Sequence, residues 1–382
     1  MKIVYCIPSC YNSGGMERVL SLKANYLADK VGYEVYIVTT GQKGKEPYYS
    51  MSDKIKFIDL GINYDEIKSL PIYIKFYYKL LKQHNHRKKL EKTLFQLKAD
   101  IVISMFTHEM SFLYKIKDGS AKVLEIHFSK QFRTLHNYYN HVGWLTKVLG
   151  FYLNYRDCVA AKKYDRFVVL TQEDKLSWKG FSNIKVIYNP MTFEPQSVSD
   201  YKAKSVIAVG RLCAQKGFDM LIDIWSRIDP ILRKSWTLSI YGSGPDYDLL
   251  NKQINDLDLS REIKLCSPTN DIANVYKHSS ILCFTSRYEG FSMALIESFS
   301  FGITTVSFDC PCGPSDIIEN GVNGFLIKSF DCDSFALKLS ELMKDENKRK
   351  EIGEKAFETA QNKFRIEVIM QQWVNLFLAL KK

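Results

Sequence analysis

A chain of 382 residues with 46% hydrophobic residues and a mean hydropathy of −0.19 is long enough for two domains with separate cores and too apolar to be disordered. It carries no internal repeat, no low-complexity tract and no apolar run near the ~18 residues that cross a bilayer. Nine cysteines, an odd number without paired C-x-x-C spacing, fit reduced thiols rather than disulfides or zinc, and Cys310-Pro311-Cys312 is too close-set for a zinc pair. The formal net charge of +11 is unevenly placed, with 30 Lys and Arg against 17 Asp and Glu through Pro190, and 23 against 25 beyond it.

Apolar runs bounded by turn residues predict strands over 2–8, 35–40, 55–60, 101–105, 123–127, 167–171 and 186–188 in the first half. The second half repeats the pattern over 205–209, 238–241, 263–265, 281–284, 304–308 and 325–327. Strands that alternate with helical segments predict an α/β fold, with parallel sheets covered by helices on both faces. The opening stretch 2–8 is too short for a signal peptide, so the expected site faces the cytoplasm. Asn189-Pro190-Met191-Thr192-Phe193-Glu194-Pro195 and the polar stretch to Lys204 read as a linker beside an interdomain cleft. The apolar, aromatic tail 366–380 reads as a helix.

Four strand-to-loop junctions and one histidine carry candidate chemistry. In Asn12-Ser13-Gly14-Gly15-Met16-Glu17-Arg18-Val19, paired glycines ahead of a helix make a backbone cradle, and Gly15 can approach a phosphate or a sugar. His127 falls at the carboxyl end of a predicted strand, the edge at which open α/β sheets bind ligands. Val209-Gly210-Arg211-Leu212-Cys213-Ala214-Gln215-Lys216-Gly217-Phe218 sets Arg211 at a strand exit and Lys216 at a helix start. There a guanidinium can fork onto phosphate oxygens and an ammonium can add a point charge. Ile240-Tyr241-Gly242-Ser243-Gly244-Pro245 is two thirds of a dinucleotide fingerprint, with Tyr247 where the third glycine belongs, and so is not read as an NAD site.

The most informative stretch is Arg287-Tyr288-Glu289-Gly290-Phe291-Ser292-Met293-Ala294-Leu295-Ile296-Glu297, predicted as a loop to Gly290 and a helix over 291–301. Gly290 lets a ligand approach the backbone, and the free N–H groups at the helix start favour an anion. Glu289 at the mouth can accept hydrogen bonds from sugar hydroxyls, and Glu297 two turns on can take a second polyol such as a ribose.

In the first half, Pro71-Ile72-Tyr73-Ile74-Lys75-Phe76-Tyr77-Tyr78-Lys79-Leu80-Leu81-Lys82, His86-Arg87-Lys88-Lys89 and the aromatic stretch 144–155 mix rings with cations. They either fill the domain core beneath solvated lysines or form a surface for an anionic bilayer. On the second reading the acceptor is a lipid-linked sugar.

Together these segments, with the closing Gly321-Val322-Asn323-Gly324-Phe325-Leu326, resemble the retaining glycosyltransferases of family 4 in the GT-B group (glycosyltransferase group 1), of the type that builds polysaccharides and lipid-linked glycans. The resemblance covers most of the chain and implies two facing Rossmann-like domains, over 1–192 and 200–364, with the helix 365–382 packing back on the first. It implies that Arg211 and Lys216 grip a donor diphosphate with Gly15 beside it, that Glu297 binds the nucleotide ribose, and that Glu289 contacts the transferred sugar. Gly290, Phe291, Ser292 and Met293 would hold phosphate and sugar through their backbone, and His127 would meet the donor sugar. Glu17 and Arg18 would lie on the acceptor side. Cys266, Ser267 and Asp271 fall in the loop that reads the base, without the glycine common there.

The implied partners are a nucleotide sugar, UDP-linked ahead of GDP-linked, and a glycan or lipid-linked glycan acceptor, with no metal and no cofactor. The implied location is the inner face of the cell membrane. Rival readings are a sugar-nucleotide epimerase on the same scaffold, a basic nucleic-acid-binding protein, and a metal-dependent transferase using Asp331-Cys332-Asp333, Asp246-Tyr247-Asp248 or Asp256-Leu257-Asp258. The cations lack a recognised nucleic-acid module, and no nucleic-acid partner is expected.

Overall fold

The computed structural model describes residues 1–67, 69–139, 143–194 and 198–381. Residues 195–197 of the predicted linker lie outside the described residues, as do the side chains of Ile72, Tyr73, Leu145 and Lys147 in the basic aromatic segments. The chain forms two compact units. Unit 1 comprises Met1–His127, Val148–Pro190 and Ile366–Lys382, and unit 2 comprises Phe128–Lys147 and Met191–Arg365.

Unit 1 holds a seven-stranded parallel sheet of β1 (Lys2–Ile7), β2 (Glu34–Thr39), β3 (Lys56–Asp59), β4 (Ile101–Ser104), β5 (Ala121–Glu125), β6 (Arg166–Val169) and β7 (Ile184–Val186). The strand order is β3-β2-β1-β4-β5-β6-β7. The direction of winding therefore reverses between β1 and β4, and the loops leaving their carboxyl ends diverge there to open a crevice. Both faces of the central strands are covered, which is why they read as continuous Val, Ile and Tyr runs without alternation. The helices Gly15–Asp29 and Ile366–Leu380 supply part of that cover: Leu20, Ala24 and Leu27 from the first share a core with Ile369, Met370, Trp373 and Phe377 from the second.

Unit 2 holds a six-stranded parallel sheet of β8 (Ser205–Val209), β9 (Thr237–Tyr241), β10 (Ile263–Cys266), β11 (Ile281–Phe284), β12 (Thr304–Asp309) and β13 (Phe325–Lys328), in the order β10-β9-β8-β11-β12-β13. Its reversal lies between β8 and β11, so the loops 210–217 and 285–292 leave neighbouring strands at the same edge.

Every predicted strand exists, but several ends move. Strands β1 and β2 each stop one residue early where the chain turns, with Thr40 and Gly41 N–H both donating to the Pro8 carbonyl, and β4 and β5 stop one and two residues early. His127 therefore sits two residues past β5, in the loop. Strand β7 starts at Ile184, which pairs with Phe167.

The expected boundary at residue 192 also moves. Met191 N–H donates to the Phe364 carbonyl at 2.7 Å and the Thr192 hydroxyl donates to Glu297 at 2.8 Å, both within unit 2. The helix Phe132–Tyr139 joins unit 2 through its rings, with Tyr139 stacked on Tyr288 at 5.6 Å and Phe132 edge-on to it at 5.9 Å.

Trp373 is 1% exposed in the unit 1 core, so Trp373→Ala should cost about 3–5 kcal/mol of that unit's stability. A urea titration followed by near-UV circular dichroism checks this; a loss below about 1 kcal/mol would mean the C-terminal helix contributes little to the core.

Candidate active site

In unit 2 the turn after β8 and the loop after β11 are tied by backbone. Arg287 N–H donates to the Gln215 carbonyl at 2.8 Å, the Gln215 side chain donates to the Tyr288 carbonyl at 3.0 Å, and the Arg287 guanidinium donates to the Ala214 carbonyl at 2.6 Å while forking onto Asp219 at 2.9 and 2.6 Å. Gly217 makes the approach possible. Its φ of +64° is a left-handed conformation, and an added Cβ would stand 2.2 Å from the Thr285 carbonyl oxygen. Glycines 242 and 244 serve a similar end, since side chains there would strike the Gly210 and Leu212 carbonyls. The incomplete dinucleotide fingerprint is thus a close backbone contact against Gly210–Leu212.

These contacts place Lys216 Nζ 2.6 Å from Glu289 Oε1, with the lysine side chain 18% exposed and the glutamate 8%. The lysine stem lies over Gly210, where a Cβ would meet its Cε at 3.0 Å. Arg211, on the same turn, is exposed and has no hydrogen-bond or ion-pair partner among the described residues. One cation is therefore committed to a carboxylate and a second is uncommitted, an arrangement suited to a polyanion with hydroxyls beside it.

The predicted helix start moves: the helix is Met293–Ser300, preceded by Ser292 in an extended conformation, so Gly290, Phe291 and Ser292 form the loop ahead of it. The Ser292 hydroxyl is buried without a hydrogen-bond partner and makes no cap. The loop after β12 braces this stretch, with Glu289 N–H donating to the Pro311 carbonyl at 3.0 Å.

Glu297 is buried rather than open: its two oxygens accept from the Thr192 hydroxyl at 2.8 Å and the Tyr276 hydroxyl at 3.1 Å. Two hydroxyls on one carboxylate is the bonding a ribose diol would require, and the structure fills it from within. Cys266 ends β10, Ser267 is exposed, and Asp271 caps the helix Ile272–Lys277 by accepting from Asn274 N–H at 3.4 Å.

In unit 1, the helix Gly15–Asp29 starts at the first glycine-rich turn. A Cβ on Gly15 would meet nothing within 4 Å, whereas one on Gly14 would stand 2.2 Å from Glu17 Oε2. Space for a ligand is thus at Gly15, and Gly14 is the glycine that local packing requires. Glu17 folds back and is buried, which raises its carboxyl above the ordinary value against a hydrogen bond from Asn12. Arg18 lies 6.0 Å from the Tyr49 ring centre. His127 is 8% exposed at its side chain, with Nε2 3.2 Å from Glu125 Oε1.

Several contributors escape sequence reasoning. Asp219, Gln215, Thr192 and Tyr276 hold the candidate carboxylates and loops, and sequence reasoning assigned none of them a role. Lys23 and Glu125 were legible only as a cation on an apolar helix face and a carboxylate ending a buried strand. The acidic pairs go to helix ends and surface ion pairs: Asp331 accepts from Ser334 N–H at 3.0 Å as a cap, Asp333 pairs with Arg227 at 2.6 Å, and Asp246 and Asp256 fall at either end of the helix Tyr247–Asp256. Among the described residues no group of three or more His, Cys, Asp or Glu is placed to hold a metal ion.

Two parallel-sheet α/β units with loops gathered at their carboxyl edges are the GT-B architecture of glycosyltransferases. The S. aureus TarM structure, solved with fondaparinux, alpha-GlcNAc-glycerol and UDP, has this fold, with a TM-score of 0.75, 18% identity and coverage of 98% of this chain and 99% of that one. The model of the family described as glycosyl transferases group 1 matches residues 192–359. An uncharacterized glycosyltransferase of Haemophilus influenzae is 30% identical over 97% of this chain and 98% of its own length. The GalNAc-alpha-(1->4)-GalNAc-alpha-(1->3)-diNAcBac-PP-undecaprenol alpha-1,4-N-acetyl-D-galactosaminyltransferase of Campylobacter jejuni is 25% identical over 100% of this chain and 99% of its own length. The chain belongs to the glycosyl transferases group 1 family and is a glycosyltransferase.

Because Gly217 combines a left-handed φ with a carbonyl at its missing Cβ, Gly217→Ala should cost unit 2 at least about 2 kcal/mol and displace Lys216 from Glu289. Differential scanning calorimetry checks the first, and an unchanged transition would show that the turn relaxes freely.

Proposed function

We propose that the chain is a retaining, metal-independent transferase of family 4 that moves a hexose or N-acetylhexosamine from a UDP-sugar to a lipid-linked glycan during surface polysaccharide synthesis. The observation that carries this reading is Arg211, exposed and without a partner among the described residues, on the same turn as the Lys216 that pairs with Glu289 at the unit 2 switch point. A donor diphosphate would take Arg211 as a forked partner and draw Lys216 toward its oxygens, freeing Glu289 to accept from sugar hydroxyls. Gly290–Met293 would offer backbone N–H groups, Glu297 would exchange an internal hydroxyl for the ribose, and the loop from Cys266 to Asp271 would meet the base. From unit 1, Gly15 would give room to the diphosphate and His127 would meet the sugar, with Glu17 and Arg18 toward the acceptor.

As the bond from the anomeric carbon to the phosphate oxygen breaks, the acceptor oxygen bonds to that carbon on the same face and its proton passes to the departing phosphate. Arg211 and Lys216 then stabilise the growing charge, the role a metal plays elsewhere, and Glu289 aligns the sugar by hydrogen bonds without forming a covalent bond to it. The UDP in the TarM structure and the diphospho-undecaprenol in the Campylobacter jejuni protein's name support this choice of donor and acceptor.

The basic aromatic segments support a place on the cytoplasmic membrane face. Most of their described apolar side chains point outward: Phe76, Tyr77, Leu80 and Leu81 are exposed on the helix Ile72–Leu97, and Trp144, Phe151, Tyr152 and Tyr155 on the helix Trp144–Ala161, while His86 is buried. No helix among the described residues is long and apolar enough to cross a membrane, so an anionic bilayer would be met from one side.

Isothermal titration with UDP should lose about 1.5–3 kcal/mol of binding in Arg211→Ala and in Lys216→Ala, and Glu289→Ala should stop sugar transfer assayed in EDTA. Unchanged UDP affinity in both cation variants, or wild-type transfer that EDTA abolishes, would refute the donor site as drawn. The protein should also co-sediment with phosphatidylglycerol vesicles at low salt and leave them as salt rises; indifference to anionic lipid removes the membrane assignment.

A further inference from the structure

Strand β5 ends in a carboxylate that the neighbouring helix neutralises from within the core. Lys23 Nζ lies 2.6 Å from both oxygens of Glu125, and each side chain is 1% exposed. The ammonium lies 3.7 Å from the Trp373 ring centre and 5.5 Å from that of Tyr5. Apolar residues of the same volume would fill this space without the cost of removing two ions from water. Burial alone would raise the Glu125 carboxyl, but the ammonium 2.6 Å away, followed by His127, holds it below the ordinary carboxylate value.

Two residues further on, His127 Nε2 is buried and lies 3.2 Å from Glu125 Oε1, without an aligned hydrogen bond to any group. Glu17 is the other carboxylate whose charge acts on this ring, but it is turned back toward Asn12 and Gly14. An imidazole nitrogen facing an ionised carboxylate keeps its proton, which leaves the lone pair on the other nitrogen.

We propose that Glu125, kept charged by Lys23, is a positioning residue that holds His127 as the Nε2-protonated tautomer, so that Nδ1 presents a lone pair to a hydroxyl of the donor sugar. The tautomer follows from unit 1 alone; the sugar contact rests on the function proposed above. The C-terminal helix, through Trp373 against Lys23, completes the enclosure that keeps water from this pair.

The test is long-range proton–nitrogen correlation NMR on the full-length protein labelled with 15N-histidine, at about pH 8, where an ordinary imidazole is neutral. Wild type should show His127 protonated at Nε2. Lys23→Met/Glu125→Leu, which removes both charges together and so leaves no orphaned ion, should fold and lose that preference. Its kcat should fall by up to about 100-fold while UDP affinity stays unchanged. An Nδ1-protonated His127 in wild type overturns the proposal, as does a folded double variant that keeps the tautomer or kcat. Should the double variant fail to fold, Glu125→Gln is read instead, with the same two outcomes. Failure of wild type to bind UDP would instead remove the proposed function and leave the tautomer result standing.

Discussion

The ion pair between Lys216 and Glu289 depends on backbones that approach more closely than side chains allow. Glycines at 210, 217, 242 and 244 let the turns after β8, β9 and β11 share carbonyls and N–H groups, and only then does the lysine reach the carboxylate. The parallel sheet brings those turns to one edge, and the reversal of strand order between β8 and β11 opens the space they line. Arg287 then locks the loop with a forked bond to Asp219, so the position of Glu289 is set by an arginine whose own charge is already satisfied.

Unit 1 solves a different problem with the same topology. Its reversal lies between β1 and β4, and the residues near it are held by buried charge more than by glycine contacts. Glu17 is folded over Gly14, and Glu125 is clamped by Lys23 under Trp373. Buried ions of this kind contribute little net stability, but each has few alternative partners, and that fixes where a neighbouring imidazole can lie. The outward rings of the helix Ile72–Leu97 mark the opposite regime, in which apolar side chains are left in solvent beside cations.

Much of this was legible in the amino-acid order. Apolar runs bounded by turn residues located all thirteen strands, the central ones most clearly because a strand buried on both faces must be continuously apolar, and the glycine-flanked cations and the Glu289–Glu297 spacing marked the edge loops. Strand ends were less legible, since Pro8, Thr40 and Ile126 continue the apolar or β-branched pattern past the ends of their strands. The helix after β11 began two residues late because Ser292 keeps an extended backbone ahead of Met293.

Sequence by itself determined the α/β class, the order of strands along the chain and which residue types stand at the carboxyl edges, because periodicity and turn chemistry are local properties. Tertiary structure alone decided that Lys216 meets Glu289, that Glu297 is filled by Thr192 and Tyr276, that Lys23 underlies His127 through Glu125, and that Phe76, Tyr77, Phe151 and Tyr152 face outward while His86 does not. Each of those partnerships joins residues far apart in the chain. Which one forms depends on strand order and on close backbone packing, and neither is encoded in any single window of sequence.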